Sequence, residues 1–443
     1  MIERYISLVE KTNTVKCRGR VRAIEGMKIV GKGPISMVGE LCKIYSNSSA
    51  DNCVIAEVIG LKDNTTILMP YSDPAGIQVG DIIEASGRPL SVKVSDKLLG
   101  RVLNARGEPI DDRGNIPANL YQSVISAPPD LLKRKDIDSQ IVTGIRAIDG
   151  LLSVGKGQRV GIFAGSGVGK STLLGMIARN TNADVNVIAL IGERGREVSE
   201  FIKNDLGIEG LKRSVIIVST SDTPAIARYR GAYVAVAIAE YFRDQGKDVM
   251  LLFDSVTRFA RALREIGLSL GEAPATRGFT PSVFSTLPKL LERCGTSDKG
   301  TITGFFSVLV EGDDMDEPVS DTVRGILDGH IVLDRKIAQR QQYPAIDVLN
   351  SVSRLANKVV SPDLRSAARK VLQWIAAYRE AEDLINVGAY VKGSNPDIDM
   401  AIEKMPEIRA FLSQQIDDKA PLSDTVNRLF TLADMEVSLG EKV

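Results

Sequence analysis

Apolar and polar positions change their period along the chain. Residues 1–11 place Ile2, Tyr5, Ile6 and Val9 at i, i+3, i+4 and i+7, with Glu3, Arg4, Glu10 and Lys11 mostly off that face, which predicts a short amphipathic helix over 1–18. So short a helix is marginal alone and is expected to dock on its own domain or on a partner. From Gly19 to Val94 the period drops to two, in β-branched stretches such as Cys53–Ile59 and Thr65–Met69, cut by Lys62-Asp63-Asn64; this predicts a small β-barrel over 19–94. Residues 95–150 carry proline and glycine punctuation, including Pro128-Pro129, and read as a connector wrapped on a central domain spanning 95–359. In that domain the apolar runs Val160–Phe163, Val185–Ile191, Val215–Val218, Val249–Phe253 and Ile302–Val310 alternate with helical stretches, the pattern of βαβ units and a mostly parallel sheet. The helix after Thr223-Pro224 is almost wholly apolar over Ala232–Ala239 and is expected to be buried. After about Val359 the strand pattern stops. Ser361-Pro362-Asp363 then opens a segment in which Leu364, Ala367, Val371, Trp374, Ile375 and Tyr378 keep helical spacing, so residues 360–443 form a helical domain. The expected fold class is multidomain α/β.

Composition narrows the function classes. Lys and Arg total 56, as do Asp and Glu, so no global basic field draws nucleic acid. Aromatic residues make up 5% of the chain, too few for the basic, aromatic-bearing face of an RNA-translocating hexamer; no nucleic-acid partner is expected. Cysteines 17, 42, 53 and 294 form no C-x-x-C pair and no metal-ligand spacing, which suits free thiols in a reducing cytosol. No apolar run reaches the roughly 18 residues of a membrane span, so a soluble chain is expected, with membrane contact only at a surface.

The chemistry concentrates in Gly165-Ser166-Gly167-Val168-Gly169-Lys170-Ser171-Thr172, between an apolar run and a helix. Glycines at 165, 167 and 169 would let the backbone take positive φ and aim its N–H groups at one point, where the helix N-terminus also favours an anion. Lys170 would reach β/γ-phosphates and Ser171 would place its hydroxyl on Mg²⁺. Ala164 stands where the G-x-x-x-x-G-K-[ST] pattern has its first glycine. Asp254 ends an apolar strand and is the companion carboxylate, because Mg²⁺ prefers hard oxygen ligands; alone it would read equally as a strand end. Glu193, Arg194, Arg196 and Glu197 crowd the segment after another strand, where open α/β sheets bind ligands. A carboxylate there could orient a water, although taken alone the segment is better explained as a solvated charged loop. His330, the sole histidine, is expected to hydrogen-bond structurally, since phosphoryl transfer has little use for imidazole.

Gly192–Glu197, the phosphate loop and Tyr343–Arg354 together resemble the catalytic subunits of rotary ATPases over nearly the whole chain. Residues 144–149, 154–172 and 310–318 resemble the flagellar type III export ATPases in particular, a branch that often has alanine at the Ala164 position. The resemblance implies a RecA-like ATP-binding domain, ATP and Mg²⁺ as substrate and cofactor, and ATP hydrolysis that energises export of flagellar proteins. It implies that Glu193 polarises the attacking water, that Arg194 and Arg258 contact the γ-phosphate region, and that Glu197 helps hold Mg²⁺ through water. Tyr343 would stack on adenine and Arg354 would be an arginine finger reaching a neighbour's site. Glu193 and Arg354 in one chain imply a ring of identical subunits, six by the resemblance. The implied partners are a central coiled-coil stalk subunit, a negative regulator bound through the N-terminal helix, export-gate membrane components and chaperone–substrate complexes. The implied location is cytoplasmic, peripheral at the membrane-embedded apparatus. The loop Gly271–Pro281 would face the ring's pore and touch the stalk through Arg277 and Phe279. A virulence injectisome ATPase shares every one of these motifs; the short N-terminus and the run Thr322–Arg335 favour the flagellum.

Overall fold

The structure, a computed structural model, describes residues 16–46, 53–310, 312 and 314–435. The amphipathic helix expected over 1–18 lies outside them except for its last residues, and Arg18 already opens a strand. That strand, β1 (Arg18–Glu25), joins β2 (Lys28–Lys32), β3 (Glu40–Tyr45), β4 (Cys53–Lys62), β5 (Thr65–Pro70) and β6 (Ile82–Pro89) in a closed antiparallel barrel of order β1-β2-β5-β4-β3-β6. Period-two alternation builds it: Cys42 and Ile44 point inward with Val21, Ile29, Val58, Leu68 and Ile83, whereas Lys43 between them is exposed. The β4–β5 turn uses Asp63 and Asn64 at φ 46° and 59°, a left-handed region these residues tolerate better than most.

The barrel closes at Pro89, short of the expected Val94. The next strand, β7 (Ser91–Val94), turns its valines into the central core and pairs with β9 (Leu120–Ser123). The connector between them also adds β8 (Val102–Leu103) to the main sheet, and a short pair follows, β10 (Gln140–Ile141) with β11 (Val154–Gly155).

The main sheet comprises β12 (Arg159–Ala164), β13 (Val185–Ile191), β14 (Ser214–Ser219), β15 (Asp248–Asp254), β16 (Gly295–Thr296), β17 (Thr301–Leu309), β18 (Gly329–Leu333) and β19 (Ile346–Ser353), besides β8. Their order is β19-β18-β12-β17-β15-β13-β14-β8, with β16 on β17. Pairings are parallel except β18–β19 and β16–β17. Every residue of β13 and β14 is buried, as expected of parallel strands covered on both faces. Helices α1 (Lys170–Asn180), α2 (Ala225–Arg243), α3 (Val256–Ser269) and α4 (Pro281–Leu291) provide that cover. Ala232–Ala239 of α2 is wholly buried, as its composition demands.

The chain ends in α5 (Pro362–Asn386), α6 (Pro396–Leu412) and α7 (Leu422–Leu432). Ser361 caps α5 by accepting from Leu364 N at 3.2 Å, and Leu364, Ala367, Val371, Trp374 and Ile375 form its buried stripe. Among the described residues, no helix is long and apolar enough to cross a membrane. In the Gly271–Pro281 loop only one of the two expected contact residues is available. Arg277 is exposed and pairs with Asp314 at 3.0 Å, but Phe279 is 4% exposed and packs in the core beneath Arg264.

Barrel and central domain are joined through charge. Arg230 of α2 donates from Nε to both oxygens of Glu57 on β4, at 2.8 and 2.9 Å, and Tyr71 donates to the same carboxylate at 2.6 Å. All three side chains are buried or nearly so. The Arg230 guanidinium also lies over the rings of Tyr229 and Tyr233, and Tyr233 carries Arg293 on its other approach. Arg293 in turn pairs with the fully buried Glu240 at 2.5 Å. Removing one partner of such a pair strands the other charge in low dielectric. Arg230→Met is therefore expected to cost about 3–5 kcal/mol, read as a lowered urea-unfolding midpoint, and Arg230→Met with Glu57→Leu should recover much of it. A single variant that unfolds like the parent would show the pair to be dispensable.

Candidate active site

The phosphate-loop segment is built by its neighbours. β12 is fixed by parallel pairing to β17 and β18, and it releases the chain at Ala164 toward the C-terminal edge of the sheet. Gly167 and Gly169 then take φ of 78° and 89°, and Gly169 is the left-handed N-cap of α1. Gly165, expected to share that conformation, is not among the left-handed glycines; it continues out of the strand. The first N–H groups of α1 have no intrahelical acceptor and open onto this loop, the arrangement that binds anions. Val168 is 2% exposed, so only its backbone faces a ligand, while Ser166 and Ser171 are exposed. Thr172 bonds to Asp205.

Side chains from three further strands converge on Lys170. Its Nζ is ion-paired with Asp254 at the end of β15 and lies 3.6 Å from Glu193 Oε1, after β13. Ser307 of β17 donates to Asp254 Oδ1 at 2.6 Å. Arg258, in the first turn of α3, brings its Nε to 3.2 Å from Glu193 Oε1. Gly192 makes that approach possible: its φ is 76°, and a Cβ there would meet Arg258 Cβ at 2.8 Å. Glu193 is 7% exposed. Burial, and then the charge of Asp254, push its carboxyl up to about 7 against the opposing pull of Lys170. It shares a hydrogen bond with Glu197, which lowers the Glu197 carboxyl, so of the two Glu193 is the more readily protonated. Glu193 Oε1 and Arg258 Nε, both buried, have no hydrogen-bond partner of proper geometry. They face each other at 3.2 Å as an ion pair without hydrogen-bond geometry, and such loosely satisfied buried groups beside a charged loop are what a site for an incoming polar group presents.

A cavity of about 430 Å³ adjoins the loop. Gly169, Thr172, Leu173 and Met176 form one side, Tyr343 and Pro344 another, and the segment Ser413–Ile416 closes it. Tyr343 Cδ1 lies 3.6 Å from where a Gly169 Cβ would be, so the ring lies directly against the loop. An apolar floor with a half-exposed aromatic at its edge suits a planar ring system.

Not every expected residue is here. Arg194 is largely exposed and, among the described residues, pairs with Glu197 at 3.7 Å. Arg354 lies just past β19, on the edge of the sheet. Its N–H donates to Asp328 O, and its exposed guanidinium donates to Arg324 O; among the described residues it has no hydrogen bond or ion pair to the Lys170 cluster. His330 is a packing residue: Nε2 bonds Asn350 O at 3.1 Å and the ring sits edge-on to Phe163. Sequence reasoning missed Ser307, Met176 and Ser413–Ile416. Ser307, a hydroxyl in an otherwise apolar stretch of strand, could have been noticed; Ser413–Ile416 carries no local pattern at all.

Comparison with known proteins agrees with this architecture. The family described as "ATP synthase alpha/beta family, nucleotide-binding domain" matches residues 144–353, its β-barrel domain matches 27–87, and the "T3SS EscN ATPase C-terminal domain" matches 360–431. The "Flagellum-specific ATP synthase" of Treponema pallidum (strain Nichols) is 56% identical over 435 residues, covering 98% of this chain and 97% of that protein. The "Type 3 secretion system ATPase" of Xanthomonas euvesicatoria is 47% identical, covering 94% of each. Among solved structures, the assembled ATPase EscN in complex with its central stalk EscO, from the enteropathogenic E. coli type III secretion system, superposes with a TM-score of 0.87. It is 43% identical and covers 94% of this chain and 100% of that one. The chain therefore belongs to the ATP synthase alpha/beta family, within the branch of flagellum-specific and type III secretion ATPases.

Proposed function

We propose that this protein hydrolyses ATP to energise export of flagellar proteins, as one of six identical subunits in a ring. The observation that carries the catalytic reading is the convergence of Lys170, Asp254 and Glu193 at the mouth of the glycine loop, next to a cavity sized for a nucleoside. Three flagellum-specific relatives at 50–56% identity stand above the type 3 secretion ATPases at 44–47%, with two more flagellum-specific relatives at 42–43%, and the three favour the flagellar assignment over the injectisome.

In this reading the backbone of Gly165–Gly169, with Ser166, Val168 and Thr172, cradles the phosphates, and Lys170 leaves Asp254 to pair with the β/γ-phosphate oxygens. Mg²⁺ suits the donors left behind: the Ser171 hydroxyl, the Asp254 carboxylate and, through water, Glu197. Mg²⁺ commonly binds through one or two protein oxygens together with substrate phosphates. When bound, it would neutralise charge developing on the γ-phosphoryl. Glu193, once its proton has passed to solvent or Glu197, accepts from the attacking water and orients it. Arg258, and Arg194 from its exposed position, face the γ-phosphate, and Tyr343 stacks on adenine. Arg354, which among the described residues has no bond or ion pair to its own Lys170 cluster, completes the neighbour's site instead. EscN assembles and binds a central stalk, EscO; we extend both properties to this chain, with Arg277 as the pore-facing stalk contact. The chain divides functionally into the barrel, a central domain that includes β7 and runs to about 359, and the helical domain after it. A regulator at the N-terminal helix, export-gate components and chaperone–substrate complexes complete the proposed partners, at the cytoplasmic face of the apparatus.

Lys170→Ala or Asp254→Ala should abolish phosphate release with circular dichroism unchanged, whereas Glu193→Gln should keep ATP affinity and lose turnover. Near-parental rates in the first two would remove the basis of the site. Arg354→Ala should lower the rate by about 10³ or more, the usual worth of a finger. Mixing it with Lys170→Ala under subunit exchange should restore activity that neither shows alone; no recovery would place Arg354 in its own chain's site or in the fold.

A further inference from the structure

Arg146, a buried cation outside the catalytic cluster, has no carboxylate for a partner. It is 7% exposed, and among the described residues it forms no ion pair. Its side chain crosses from the central domain to the helical one. Nε donates to Phe411 O at 2.9 Å, and an Nη2 bond reaches Ser413 O. These carbonyls stand at the C-terminal end of α6, whose last turn leaves acceptors unsatisfied and carries the negative end of the helix dipole. The helix end therefore does for the guanidinium what a carboxylate would otherwise do. Burial and then the nearby charge of Arg428 lower the Arg146 pKa, against the weaker pull of Asp418 and Asp424, neither of which pairs with it directly.

The chain leaving that capped end is the wall of the cavity beside the glycine loop. Gln414 is fully committed there: its side-chain amide donates to Gly144 O at 2.7 Å, its Oε1 accepts from Arg146 N at 3.1 Å, and its backbone N–H donates to Tyr343 O at 2.8 Å. Arg179 of α1 holds Ile416 O at 2.6 Å. Ser413–Ile416 is thus tied at both ends to the central domain and in its middle to Tyr343, and the tie at the α6 end is Arg146.

We infer that Arg146 is a positioning residue for the nucleotide base: by capping α6 it sets where Ser413–Ile416 stands opposite Tyr343, and so the width of the slot a purine enters. The inference rests on the nucleotide-site reading above. It makes base affinity, rather than phosphate affinity, depend on a residue that touches no part of the nucleotide.

The test compares a ligand that has a base with one that lacks it. Full-length protein is titrated with Mg-ATP and with Mg-tripolyphosphate, for the parent, Arg146→Met, Arg146→Lys and Gln414→Ala. Arg146→Met should weaken ATP about tenfold, the worth of a charge-assisted bond pair, raise KM by a similar factor at retained kcat, and leave tripolyphosphate binding within about twofold. Arg146→Lys, which can still cap one carbonyl, should recover part of the loss, and Gln414→Ala should show the same base-selective pattern. Equal weakening of both ligands, or unchanged ATP affinity in Arg146→Met and Gln414→Ala, would overturn the inference. Parent protein whose ATP is not displaced by tripolyphosphate would instead overturn the nucleotide-site reading beneath it.

Discussion

Two buried carboxylates, Asp254 and Glu193, share Lys170, and the rest of the central domain exists to make that meeting possible. Ionised groups taken out of water are tolerated only with partners at hand. Here the partners come from the ends of β12, β13, β15 and β17 and from the first turns of α1 and α3. Parallel pairing brings all of those strand ends to one edge. An antiparallel rearrangement would scatter them. Even so the cluster is incompletely satisfied, since burial pushes the Glu193 carboxyl up to about 7 and its Oε1 meets Arg258 Nε at 3.2 Å without hydrogen-bond geometry. Incomplete satisfaction of this sort is tolerated where a ligand is due.

A second charged string runs through the molecule away from the site, from Glu57 of the barrel through Arg230 and Tyr233 to Arg293 and Glu240. Its members are buried and satisfied, and it fixes how the barrel sits on α2. The two clusters differ as their hydrogen bonding differs: the closed one orients, and the open one is the proposed substrate site.

The architecture was legible where local pattern and tertiary role coincide. Fully buried strands such as β13 and β15 are unbroken apolar runs, the barrel strands alternate, and Ser361-Pro362 announces α5 by its capping chemistry. Lys170, Asp254 and Glu193 follow from motif chemistry at strand ends. What escaped had no local cause. β19 is half polar because it forms the sheet's edge, β18 beside it is only five residues long, and β8 is two residues long. Phe279 sits in a loop dense with turn formers, yet its ring is pulled into the core under Arg264. Ser413–Ile416 joins the cavity only because α6 ends beside Arg146, a relation between residues far apart in sequence.

The ion pair between Lys170 and Asp254 bears on how readily the site can empty. With the loop unliganded, neither charge is exposed to solvent as an open demand; each answers the other. A triphosphate arriving with its cation finds no bare field to fall into. In the proposed reading it would exchange partners, Lys170 turning to phosphate and Asp254 being freed to hold a metal, so much of the gross Coulomb attraction is offset by the pair that is given up. The reverse exchange is equally available when products leave. For the hydrolysis proposed above, ligand entry and exit are then a trade of one set of ion partners for another, which keeps binding from growing so tight that products cannot leave.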